Sequence, residues 1–322
     1  MSDRKVRTQG RAQSANALYL WPYAAAVILI GLGAVVSNGF ASFDHLLLIL
    51  NLAAFLGLVS IGQTVVILSG GIDLSVSAVV TMTGVVSATI MAGANDQLAL
   101  GILVSCAIGA AIGLVNGVGV AYLKINPMVM TLGSTTIVQG LALLYTNGAP
   151  KGSAAPLLSA IATERLGGVV PFVLIVWAAF AVVIVLLLHR TVWGRRVYAL
   201  GNSPKAAFYS GVNVHWTLIS LYVISGLCAA AAGILLTGYT RTSYLNIGDP
   251  YQINSIAAVV VGGASILGGS GSYVGTIAGC IIMVLIQSIL PILSVPEAGR
   301  RIISGCLILF LLLLYGRERR RG

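Results

Sequence analysis

Ser69-Gly70-Gly71-Ile72-Asp73-Leu74-Ser75-Val76-Ser77 lies between two long apolar runs, and Asp73 is the only Asp, Glu, Lys or Arg between Asp44 and Asp96. A carboxylate set in that much hydrocarbon-like sequence is costly unless it is paired, hydrogen-bonded or at a watery edge. Gly70 and Gly71 permit a tight turn and close backbone approach. Two readings stay open from these residues: a turn joining two helices at a membrane edge, or a structural or gating loop of a membrane protein. Both require the rest of the chain to supply a membrane.

The composition supplies one. Hydrophobic residues make up 58% of the 322 and charged residues only 8%, where a soluble domain carries about 25% charged. The mean hydropathy is +0.99. The fold class expected is an all-α polytopic membrane protein, because long apolar runs with 39 glycines lack the two-residue alternation of a membrane barrel. The formal charge of +10 does not point to nucleic acid. Arg4, Lys5, Arg7 and Arg11 precede the first apolar run, and Arg317, Arg319, Arg320 and Arg321 follow the last. Basic residues so placed orient spans and meet anionic lipid headgroups. Cys106, Cys228, Cys280 and Cys306 lie singly in apolar runs and read as small buried residues rather than metal ligands or disulfide partners.

Taking about 20 apolar residues per span, ten candidates follow. They are Leu18 to Val36, His45 to Leu68, Leu74 to Met91, Leu98 to Leu123, Met128 to Tyr145, Val169 to Leu188 and Trp216 to Tyr239, then two within Pro250 to Pro296, and Ile302 to Tyr315. The uncharged Pro250–Pro296 stretch is divided by Gly262-Gly263 and Gly268-Gly269-Ser270-Gly271. The first run is read as a retained helix, since it has span length and no cleavage pattern. Ten spans put both termini on one side, and cytoplasmic termini place thirteen of the eighteen basic residues inside, as the positive-inside rule prefers. Asp73 then falls near the cytoplasmic side. The whole chain, 1–322, reads as one transmembrane domain. Val65–Gly71 is echoed by Val259–Gly263, a weak sign of an internal repeat.

The charged interruption 189–215 holds Arg190, Arg195, Arg196 and Lys205. Ser203 can cap a short helix with Pro204 at its first position and Gly211 near its end. Such a helix is either interfacial or a docking element for a soluble partner.

Taken together, these motifs resemble the ribose-type permease subunits of bacterial ABC sugar importers. The resemblance is carried by Gly-Gly-Ile-Asp-Leu-Ser-Val at 70–76, the Gly194–Val212 segment, Thr131-Leu132-Gly133-Ser134, and the Ser255–Ser272 pattern, in family order over nearly the whole chain. Ser77 stands where the family usually has Gly, and Gly201-Asn202-Ser203 where Gly-Gly-Asn is frequent. Serine is small enough to keep close helix packing; the other change puts only the detailed docking geometry in question. The resemblance implies a type II ABC importer-like permease in the bacterial cytoplasmic membrane, paired with a second copy or a related permease. It further implies a cytoplasmic ATPase subunit that binds ATP and Mg, and an extracytoplasmic sugar-binding protein. No cofactor is expected in this chain, which lacks a G-x-x-x-x-G-K-[ST] phosphate loop. Segment 189–215 becomes the coupling element, with Gly194, Arg195, Gly201, Ser203, Lys205, Ala206, Ala207, Ser210 and Gly211 as its contact residues. Gly70, Gly71, Asp73, Ser75, Gly262, Gly263, Gly268 and Gly269 are assigned gating or structural roles.

Sugar hydroxyls call for neutral hydrogen-bonding partners. Asn51, Gln63, Thr131, Thr135, Gln139, Asn254 and Gln287, with Ser288 beside it, are the candidates, although helix–helix hydrogen bonding uses the same residue types. Thr131, Thr135 and Gln139 recur every fourth residue and share a helix face. An intramembrane enzyme would need a nucleophile and base or a metal set at helical spacing, and the spans carry none. An ion-coupled carrier would call for more than one intramembrane carboxylate, and Asp73 is alone. An importer of another small polar solute, such as an amino acid, is the alternative.

Overall fold

The computed structural model describes residues 21–300, 302–303 and 305–306. The basic N-terminal cluster, the start of the first span, Arg301, most of the tenth span and the C-terminal arginines lie outside the described residues. Among the described residues these helices run in chain order, short helical pieces at 302–306 aside: α1 (Trp21–Val36), α2 (Phe43–Leu68), α3 (Val76–Met91), α4 (Leu98–Ala121), α5 (Pro127–Thr146), α6 (Pro156–Thr163), α7 (Phe172–Arg190), α8 (Val192–Asn202), α9 (Pro204–Tyr209), α10 (Val214–Thr240), α11 (Asp249–Val261) and α12 (Tyr273–Ile292). Among them α2, α4, α5, α7, α10 and α12 are long and apolar enough to cross a membrane. α3 has 16 residues and α11 only 13, about 24 and 20 Å at 1.5 Å per residue, so both are shorter than a hydrocarbon core.

The sequence reading places these helices well but misses what lies between them. Segment 146–168, read as a polar connection, contains α6 and opens the two-residue hairpin β1 (Arg165–Leu166) and β2 (Val170–Pro171). Segment 189–215, read as one short helix, holds two. Thr191 caps α8 and Ser203 caps α9, each accepting from a backbone N–H three residues on. The proline at the first position of α9 is the feature that starts a new helix rather than extending the old one.

Helix α10 is the hub, packed against α2, α3 and α4. The α4 contact is made by small residues. Gly101, Ser105, Gly109, Gly113 and Gly117 fall every fourth residue and are all buried, while most of the rest of α4 is not; the last three meet α10, and Gly101 and Ser105 meet α3. A methyl on Gly113 would overlap the Tyr222 carbonyl, one on Gly109 would lie 2.7 Å from Ala230 Cβ, and one on Gly117 would lie 2.7 Å from Ile219 Cα. Gly226 of α10 meets the Gly109 carbonyl in return. Where lipid gives no hydrophobic drive between helices, such backbone-to-backbone approach provides the packing. Gly262 of the α11 end meets Gly275 of α12 in the same way. Elsewhere large groups do the work: Trp177 Nε1 donates to Tyr273 Oη at 2.7 Å, and Tyr273 Oη donates to the Gly57 carbonyl at 2.8 Å, tying α7, α12 and α2 together.

The connections gather at two ends. At one, Gly93 N–H bonds the Ser153 carbonyl, Leu157 N–H the Asn95 side chain, and Ala154 N–H the Arg241 carbonyl. Arg165 pairs there with Asp44 at 2.8 Å on an exposed surface, a bond of small net worth. At the other end lie the Asp73 turn, the α4–α5 connection, α8, α9 and the α11–α12 loop. His215 stacks on Tyr122 there, ring centroids 4.8 Å apart.

Candidate functional site

Helix α2 stops at Ser69 because Gly70 takes the left-handed conformation, φ +87°. Gly71 N–H then reaches the Val66 carbonyl and Gly70 N–H the Ile67 carbonyl, the paired bonds of a Schellman helix end. The chain runs unwound to Ser75. Helix α11 ends identically: Ala264 N–H bonds the Val259 carbonyl and Gly263, φ +90°, bonds the Val260 carbonyl. The echo seen in sequence is therefore a repeated helix terminus. The two termini also touch, with Ile67 and Val259 buried in one cluster beside Ile72 and Ala264.

Asp73 is 1% exposed. One carboxylate oxygen accepts from Ser75 N–H (2.9 Å) and Ser75 Oγ (2.6 Å), and the other from Ser225 Oγ of α10 (2.7 Å). Asn116 of α4 donates to Ser75 Oγ at 2.9 Å and accepts from Ser134 Oγ of α5. The turn's backbone is held as well. Thr131 Oγ1 accepts from Leu74 N–H (3.0 Å), and the Leu74 carbonyl accepts from Thr135 Oγ1 (2.9 Å) and Gln252 Nε2 of α11 (2.9 Å). Groups from α4, α5, α10 and α11 thus converge on four residues between two helices. No lysine, arginine or histidine is among these partners, so neutral donors alone compensate the buried carboxylate. Tyr222, fully buried, brings its hydroxyl to Gly71, where an added methyl would lie 2.9 Å from Oη; that hydroxyl has no hydrogen-bond partner among the described residues.

The structure adds the position of Asp73 along α10. Ser225 is the twelfth residue of a 27-residue helix, about 16 Å from its first residue. The turn begins at the α8 end of the molecule and folds back, so the carboxylate sits near mid-height of α10. Counting spans fixes which side a loop joins; it does not say how far the loop re-enters.

Of the seven polar residues singled out in the spans, only Thr131 and Thr135 are brought together, and both hold the turn. Gln139, on the same α5 stripe, is exposed. Asn51 and Asn254 are 9% exposed and Gln63 is fully buried, while Gln287 is half-buried. Among the described residues neither polar atom of the Gln63 amide has a hydrogen-bond partner, nor has Asn51 Oδ1. Ser288 lies 3.2 Å from His45. Asn116, Ser225, Gln252 and Tyr222 escaped the sequence reading. Asn116 had the same signal as Asn51, a lone amide in an apolar span; a serine or tyrosine in such a span carries no comparable signal.

On the neighbouring helix pair, Gly194 packs against the Leu188 carbonyl, and Ala207 is buried. Arg195, Lys205, Ala206, Ser210 and Gly211 are exposed. Phe208 and Tyr209, 63% and 85% exposed with their rings edge to face at 5.8 Å, stand out from α9. Gly211 has φ +78° and open space around it, so its glycine serves the backbone conformation and not a close contact. Gly201 is the reverse: a methyl there would overlap the Leu68 carbonyl and the Gly269 N–H. Gly268, φ +88°, would place a methyl 2.7 Å from Gly70 N and 3.1 Å from Gly201 Cα. Among the described residues no group of three or more His, Cys, Asp or Glu could hold a metal. Cys228 and Cys280 are buried, as expected, but Cys106 is only half-buried and Cys306 is exposed.

Apolar spanning helices around a re-entrant polar turn define a multi-pass membrane protein. The family described as branched-chain amino acid transport system / permease component matches residues 45–312, and the chain belongs to it. It is 36% identical over 299 residues to the ribose import permease protein RbsC of Bacillus subtilis (strain 168), with 92% of each chain covered. To RbsC of Escherichia coli (strain K12) it is 34% identical, covering 90% of this chain and 91% of the relative. To the autoinducer 2 import system permease protein LsrD of Escherichia coli O9:H4 (strain HS) it is 31% identical, with 90% of each covered. No solved structure matches. The chain is a multi-pass inner-membrane transport protein.

Proposed function

We propose that this chain is the permease subunit of an ATP-driven ABC importer for a monosaccharide, ribose or a related sugar. The observation that carries the substrate class is likeness over nine-tenths of both chains to relatives named as ribose import permeases. The neutral character of the intramembrane polar groups supports it: Gln63, Asn51, Asn254 and Gln287 offer uncharged donors and acceptors, as sugar hydroxyls need and an anionic solute would not. We assign ten spans with both termini in the cytoplasm, so that the end bearing α8 and α9 faces the ATPase. Segment 189–215 is then the coupling element, ATP and Mg are bound by the separate ATPase subunit, and an extracytoplasmic binding protein delivers the sugar to a pair of permeases. The family's own description favours a second reading, in which the solute is a branched amino acid.

The test is purification of the tagged chain from its host in gentle detergent, followed by reconstitution with whatever co-purifies. An ATPase subunit in near-equal amount and ATP-dependent uptake of labelled ribose or another pentose by the vesicles are expected. A chain that emerges alone and moves solute without ATP overturns the proposal. ATP-dependent uptake of leucine but no sugar selects the second reading.

A further inference from the structure

We propose that Gly70, Gly201 and Gly268 form a transmission joint, through which movement of the α8–α9 pair is passed as one rigid displacement to the Asp73 turn and to α11. The inference rests on the importer reading above. The sequence divides these glycines between two roles, coupling and gating; the structure puts them in one contact. Three segments meet there main chain to main chain: the α2 terminus at Leu68–Gly70, the end of α8 at Tyr198–Asn202, and the α11–α12 loop at Leu267–Gly271. Gly269 N–H donates to the Leu68 carbonyl at 2.9 Å. Tyr198 Oη donates to the Gly271 carbonyl at 2.9 Å, and Asn202 Nδ2 approaches the Gly269 carbonyl at 3.5 Å. A methyl at Gly201 overlaps main chain from both neighbours, and one at Gly268 falls between Gly70 and Gly201.

Contacts of this kind transmit displacement because no side chain lies between the segments to flex. Rotamer changes absorb small shifts in ordinary packing; two backbones in contact have no such freedom. The consequences run along the chain. Gly70 is three residues from Asp73, whose carboxylate is fixed to α10 through Ser225. The α11–α12 loop continues back into α11, whose Gln252 holds the Leu74 carbonyl. Both arms leaving the joint therefore converge again on the same turn. A push on α9 reaches residues 72–75 by two routes, one through Gly70 and one through the α11–α12 loop and α11.

Two variants probe the joint from opposite sides. Gly201→Ala forces α8 away from Leu68 and Gly269, whereas Tyr198→Phe removes one hydrogen bond and adds no bulk. Each is purified with the partner ATPase, checked for a monodisperse complex, and assayed in proteoliposomes for uptake and ATP hydrolysis. The expected result for Gly201→Ala is an ATPase that still co-purifies, uptake reduced at least tenfold, and more ATP hydrolysed per solute moved. Tyr198→Phe gives the same change in the uptake-to-hydrolysis ratio at two- to fivefold, and it reads the joint even if the alanine variant fails to assemble. Uptake and stoichiometry equal to wild type in Tyr198→Phe, or in an assembled Gly201→Ala complex, overturn the joint while leaving the importer reading intact. A wild-type chain that captures no ATPase overturns that reading and the joint with it.

Discussion

Replacing Asp73 tests whether a buried carboxylate is held by serines alone. In Asp73→Ala three donors lose their acceptor, Ser75 N–H, Ser75 Oγ and Ser225 Oγ. Each buried polar group left unpaired costs about 1–3 kcal/mol. Ser75 Oγ keeps its contact with Asn116 and Ser225 Oγ can turn to its own helix, so the total falls at about 3–5 kcal/mol. Asp73→Asn keeps an acceptor oxygen for Ser75 and presents an amide N–H to Ser225 Oγ, which can accept as well as donate. It also removes the charge that makes these bonds strong, so about 1–2 kcal/mol is expected. Ser225→Ala strips one donor from the carboxylate and belongs between the two, at about 2–3 kcal/mol. The assay is unfolding of the purified permease in mixed micelles by SDS titration, with the Asp73→Asn/Ser225→Ala double variant closing a cycle. The expected order is Ala worst, Ser225→Ala next, Asn mildest, with the double variant less harmful than the sum. Asn as damaging as Ala would refute the reasoning, because a cation-like partner would then be holding the charge. A harmless Ser225→Ala would refute the anchoring to α10.

Gly113→Ala should destabilise the chain by about 1–3 kcal/mol, since its methyl overlaps the Tyr222 carbonyl and must part α4 from α10. Gly133→Ala, with nothing within 4 Å, should leave the isolated chain unchanged or more stable by up to about 1 kcal/mol; the same SDS titration compares them. Trp177→Phe removes the donor to Tyr273 Oη and should cost about 1 kcal/mol or slightly more, read as a lower melting point of the detergent-solubilised protein. Gly211→Ala should be tolerated for uptake at a local cost of about 1–2 kcal/mol from its left-handed backbone, in contrast to Gly201→Ala in the same vesicles.

What the sequence disclosed follows the physics of each feature. Span positions were legible because the bilayer demands long apolar runs, and α2, α4, α5, α7, α10 and α12 begin and end within a few residues of where hydropathy places them. Asp73 stood out because a charge in such a run is improbable without a purpose. The helix-ending glycines were legible too, since Gly70 and Gly263 need positive φ. The contents of 146–168 were not: α6 and the hairpin form on the molecule's surface, where polar composition permits helix, strand or loop alike. Nor could the partners of Asp73 be read. They come from Ser75, two residues away, and Ser225, 152 residues away, and serine hydroxyls in membrane helices are equally content with their own backbone carbonyls, as Ser87 and Ser255 show.

The division of the glycines is the sharper case. The α4 stripe that the structure shows has a four-residue period, a spacing with one geometric meaning. Gly70, Gly201 and Gly268 have no such period; each looks like the punctuation of its own turn. Only the fold shows that Gly211, with positive φ and open surroundings, is punctuation, whereas Gly201 is a contact that no other residue can make. Gly268 is both. A glycine's conformation is a local property that sequence context can suggest. What its missing side chain admits is a tertiary property, and here it joins the helix pair at one end of the molecule to a carboxylate halfway up α10.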